Sequence, residues 1–128
     1  MEKNIISKIV VASIFLICFM NKVNAQADLD YQYVNGNQKA KIEVQSEDQS
    51  LKLDSATKVI LQLENIAPKT VTLSAPNMKM LMQENTENSL VFEITAQSEF
   101  VKDGKYSIYV SGKTDGVIWS HKFVIAVK

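Results

Sequence analysis

The chain has 128 residues, 46% of them hydrophobic and 22% charged, and fourteen lysines balance fourteen carboxylates with no arginine at all. That composition excludes wholesale disorder, a collagen-like repeat and a multi-pass membrane protein, and the length fits one domain. One Cys, one His and one Trp are present.

Residues 1–25 read as a secretory signal peptide. Lys3 and Lys8 supply the positive start, and Ile9 to Met20 is an apolar run of twelve residues. Spanning a bilayer takes roughly 20 apolar residues, so an uncleaved anchor is the weaker alternative. Val23 and Ala25 suit cleavage before Gln26, and Ala25 and Ala27 offer a second cut before Asp28. Cys18 follows Ile17 inside the apolar run, where a lipid-attachment site calls for a small residue, so a lipoprotein signal is disfavoured. Cleavage leaves eleven lysines against thirteen carboxylates, a net charge near −2, and no cysteine. A disulfide, a thiolate nucleophile and a cysteine metal site are then all excluded. The expected product is an exported domain over residues 26–128, periplasmic or extracellular and not inserted in a membrane. Without a guanidinium fork, a mildly acidic chain is poorly suited to nucleic acid.

In chain order, apolar residues alternate at Leu29, Tyr31 and Tyr33, at Ala40, Ile42 and Val44, and at Val59, Leu61 and Leu63. Val71 and Leu73 mark a shorter piece, followed by Leu90, Phe92 and Ile94, then Tyr106, Ile108 and Val110, and last Phe123, Ile125 and Val127. A period of two marks strands with one buried face. Asn35-Gly36, Asp103-Gly104 and Asp115-Gly116 predict tight hairpin turns, and Gly112 is expected to open the last loop. Pro68 and Pro76 fall between the runs, where a missing amide donor does least harm. The pattern predicts an all-β fold: an antiparallel, immunoglobulin-like sandwich of about seven strands, with a small closed barrel as the alternative.

Asp103-Gly104-Lys105-Tyr106-Ser107-Ile108 resembles the start of strand F in immunoglobulin-like domains. There a Tyr two residues before the usual Cys bonds back to the backbone as a tyrosine corner. Ile108 stands in the cysteine's place, so the chain is similar to the disulfide-free immunoglobulin-like modules of exported bacterial proteins. The resemblance implies structural roles for Asp103, Gly104 and Tyr106.

Met78, Met80 and Met82 alternate in Asn77-Met78-Lys79-Met80-Leu81-Met82. Thioethers select copper(I), and the segment, with the stretch from Gly104 to Lys128, is loosely similar to copper-resistance-C-type carriers. Those carriers have an N-terminal His for copper(II); here the sole His is His121. On a straight strand the first and third sulfurs stand roughly 13 Å apart, too far for one ion. Filling an irregular apolar gap is the competing role. His121 shares a strand face with Trp119 and Phe123, while Ser120 points the other way, so no nucleophile–base pair forms there. The acidic pairs Asp28/Asp30 and Glu47/Asp48 lack calcium-loop spacing.

Tyr109, Val91, Ile118 and Val124 are apolar where the alternation calls for polar residues. Tyr109, Ile118 and Val124 are the candidate interaction surface, for another protein or a second copy of the chain. The function expected is a small exported, non-catalytic module for protein interaction or envelope assembly, with no cofactor. The alternative is a periplasmic copper(I) carrier using Met78, Met80 and Met82.

Overall fold

The computed structural model describes residues 29–128. The signal segment, Cys18, both cleavage positions and Asp28 lie outside the described residues. Eight strands follow in order: β1 Gln32–Asn35, β2 Gln38–Val44, β3 Ala56–Glu64, β4 Val71–Ser74, β5 Met78–Met80, β6 Ser89–Thr95, β7 Lys105–Thr114 and β8 Val117–Ala126. They form a five-stranded sheet in the order β1-β2-β3-β6-β5 and a three-stranded sheet in the order β4-β7-β8. Every strand pairing is antiparallel. Set β1 aside and the two orders are those of strands ABED and CFG in a constant-type immunoglobulin domain.

The alternation in the sequence becomes the two inner faces. Ile42, Val44, Val59, Leu61, Phe92 and Ile94 from one sheet meet Tyr106, Ile108, Val110, Phe123 and Ile125 from the other, all at most 1% exposed. This continuous apolar layer drives association of the sheets, since burial of apolar area is the dominant favourable term. The long β7–β8 hairpin pairs over its full length, from Lys105↔Ala126 to Thr114↔Val117.

Turn chemistry sets the hairpins. Asp103 and Gly104 have φ of 53° and 72°, and Asp115 and Gly116 have 51° and 80°, the mirror-image turn that matches strand twist. Lys102 and Lys105 exchange two backbone hydrogen bonds of 3.0 Å across the first of these turns. The β1–β2 turn differs from the expected pair. Asn35 pairs with Gln38, so the two loop residues are Gly36 and Asn37. Gly36 alone there has positive φ, at 62°, which puts glycine first, as a II′ turn requires.

Three further sequence readings are corrected. Gly112 opens no loop: it lies inside β7, opposite Trp119 on β8. A strand absent from the alternation pattern, β5, pairs Met78 with Ile94 and Met80 with Phe92. Tyr106 is not a tyrosine corner in the strict sense. Its hydroxyl donates to the carbonyl of Pro76, in the β4–β5 connection, so it ties strand β7 to a distant loop instead of to its own corner.

The free side of β8 is partly closed by the chain itself. Asp30 and Val124 exchange backbone hydrogen bonds of 2.8 and 2.9 Å before the chain crosses to the other sheet as β1. Leu51, fully buried in the β2–β3 connection, runs parallel to the end of β8 at Val127. The Tyr31 hydroxyl joins these pieces, donating to the Gln49 carbonyl at 2.6 Å and accepting from the Ala126 amide at 3.0 Å. Burial raises the Tyr31 phenol above its ordinary range.

Candidate functional site

The inward face of β8 carries an aromatic row. Tyr33 of β1 stacks on Trp119 with centroids 4.7 Å apart and ring planes 9° apart. His121 lies 5.2 Å from Tyr33 and meets Phe123 edge-on at 4.7 Å. Its Nε2 is 3.0 Å from Asp30 Oδ2 but outside hydrogen-bond alignment. His121 is therefore packed among rings at the sandwich edge. Ser120 is exposed on the opposite face, so the two side chains are not set up as nucleophile and base. Among the described residues, no group of three or more His, Cys, Asp or Glu side chains is gathered for a metal ion.

The three methionines are divided by the backbone. Met78 and Met80 sit on β5 and pack partly against the core. Met82 falls in the 3-10 turn Met82–Glu84 and is 71% exposed, with its sulfur 3.9 Å from the Asn85 side-chain amide. Met78 and Met80 share one face of β5, about 6.6 Å apart, while Met82 has left the strand, so the backbone does not line up the three methionines. This arrangement gives Met78 and Met80 packing roles, and the expectation that all three methionines fill an apolar gap fails at Met82, which lies in solvent.

The predicted interaction residues separate as well. Tyr109, Ile118 and Val124 all belong to the outer face of the three-stranded sheet, alternating with the buried residues of β7 and β8. They are not contiguous. Across the ladder, Ile118 stands beside Lys113, the next row is Ser111 and Ser120, and Tyr109 stands beside Lys122. Ile118 and Val124 are thus about 20 Å apart along the strand, with hydroxyl and ammonium groups between them. Thr72 extends the hydroxyl row on β4, and this face holds a shallow depression bordered by Tyr109. Val124 is half-buried beside its Asp30 pairing.

Val91 belongs to no common patch with these three. It lies on the outer face of the other sheet, opposite Ile60, and is only 5% exposed. The chain covers it with its own strap after β5. The Leu81 amide donates to the Val91 carbonyl at 2.9 Å, and the Val91 amide donates to Asn85 Oδ1 at 2.7 Å. Lys58 and Glu84 pin the strap with an ion pair. Alternation places a residue on a face but does not say what folds over that face.

Two strongly exposed apolar side chains instead lie at the tip of the β7–β8 hairpin. Ile118 is 76% exposed and Val117, next to it, 67%. The β1–β2 turn lies beside this tip: Asn35, Asn37 and Gln38 share a concavity with Thr114, Asp115 and Val117. Val34, also exposed, is on the same end of the neighbouring strand β1. Val117 was missed in the sequence because it sits directly after Gly116, where strand alternation has only begun.

No family model matches the chain, and no curated protein matches it.

Proposed function

We propose that the chain is a small, exported, non-catalytic interaction module that engages another protein through the end of the β7–β8 hairpin. The observation that carries this reading is Ile118, 76% exposed on the outer face at the tip of the β7–β8 hairpin, with Val117, 67% exposed, on the opposite face of the same strand end. Isolated surface apolar residues are ordinary, but a large aliphatic side chain at the end of a fully paired hairpin is held in place by the ladder and needs little ordering to bind. Tyr109 lies on the same outer face but two rows further along, beyond Ser111 and Ser120, and is not part of this contact. Export is supported by the three regions of the signal-like segment 1–25.

The test is association. A protein retained by the immobilised chain is purified and titrated against the wild type and Ile118→Lys. The expected result is binding at least tenfold weaker for Ile118→Lys with an unchanged melting midpoint. Equal affinity for the two forms would overturn the hairpin end as the contact.

A further inference from the structure

The sandwich is open along the side where β4 and β5 form the edges of the two sheets. There the chain leaves a groove of about 480 Å3. Val71 and Leu73 of β4 form one wall, Met80 and Met82 the other, and Leu90, 8% exposed, belongs to the buried core beneath. No aromatic ring and no carboxylate lines it. Lys69, from the 3-10 turn Pro68–Thr70, lines the groove and is exposed, with no carboxylate partner among the described residues. Asn85 already spends its carbonyl on the Val91 amide. The volume falls in the range of small-ligand sites, which are apolar with a few placed polar groups.

We propose that this groove binds a free long-chain carboxylate, its hydrocarbon chain between the two sheet edges and its head at Lys69. The chemistry of the lining selects that ligand. The walls are mostly aliphatic and thioether, with Thr72 and Asn85 as the uncharged polar side chains, and favour flexible hydrocarbon; unbranched methionines adapt to a chain of variable path. One unpaired ammonium with no neighbouring lining anion favours a negative head over a neutral or positive one. The site is independent of the hairpin end, since Val117 and Ile118 do not line it.

The experiment is displacement of 11-dansylaminoundecanoate fluorescence from the purified protein. The competitors are dodecanoate and dodecyltrimethylammonium, both below their micellar concentrations. Dodecanoate is expected to compete at least tenfold better than the cationic amphiphile. Shortening it to decanoate should weaken binding severalfold, as loss of buried methylenes requires. Lys69→Glu, an exposed position, should reverse the preference between heads. Met82→Glu, also exposed, should weaken dodecanoate at least tenfold without changing the melting midpoint. The proposal is overturned if the probe shows no saturable binding, if both heads compete equally in the wild type, or if both variants bind dodecanoate as the wild type does. None of these results bears on Ile118→Lys, so this proposal and the hairpin contact fail separately.

Discussion

The indole of Trp119 lies directly over Gly112, its cross-strand partner: a Cβ built at Gly112 would stand 2.6 Å from the ring. The ring is held on its other side by Tyr33, stacked at 4.7 Å. Glycine inside a strand is ordinarily a weakness, since it has no side chain to pack. Here the aromatic ring covers the bare backbone and restores that packing. Gly112 has no positive φ, so its requirement is for space, not for an unusual backbone conformation.

Gly112→Ala should therefore overpack the end of the sandwich, costing about 1–3 kcal/mol, because the stacked ring has nowhere to retreat. Denaturant unfolding checks this. A midpoint equal to the wild type would mean that Trp119 does not rest on Gly112.

Tyr106 is buried at 1% exposure and its hydroxyl donates to the Pro76 carbonyl. Tyr106→Phe removes that bond and leaves a carbonyl unpaired, which should cost about 1 kcal/mol. Tyr109→Phe, on an exposed ring, should cost less. Urea melts of the two variants decide the order, and the reverse order would contradict the placement of Tyr106 on the inner face.

Burial pushes the Tyr106 phenol up to about 12 from an ordinary value of 10.0. The folded protein then holds the proton more tightly than the unfolded chain does. The stability linked to this group is complete below pH 10 and is lost as pH rises through about 12. Unfolding measured from pH 9 to 12 should show a decline that is shallower in Tyr106→Phe. Identical declines in both proteins would place the titration elsewhere.

The periodicity of the sequence carried most of this fold, because each strand buries one face and a buried face must be apolar. Phe92, Ile108 and Ile125 are legible in that way. Met78–Met80 was not, since a three-residue edge strand is too short for its alternation to be told from a loop. Gly112 misled because glycine signals turns by backbone freedom, while here it makes room for a ring 7 residues later. Val91 misled because the strap that covers it is an irregular segment held by single hydrogen bonds, with no periodic trace. Alternation alone places Tyr109, Ile118 and Val124 on the outer face of the three-stranded sheet. Their separation by Ser111, Ser120 and Lys122 followed only from the register.

Met80 is half-buried on β5 and packs against the core while lining the lateral groove. Met80→Leu conserves volume and should change stability by less than about 1.5 kcal/mol. In a copper(I) competition assay, the wild type and a Met78/Met80/Met82 triple Leu variant should behave alike. Tight copper(I) binding lost in the triple variant would restore the carrier reading and displace the interaction module.

Site-specific photocrosslinking in the cells that make the protein tests most directly whether the β7–β8 hairpin end meets another protein. A photoreactive side chain at position 118 is compared with one at position 62, an exposed glutamine on the outer face of the opposite sheet. A discrete adduct is expected from position 118 that excess unlabelled chain suppresses and excess Ile118→Lys does not, with no such adduct from position 62. The same adducts from both positions, or none from position 118, would contradict the hairpin contact.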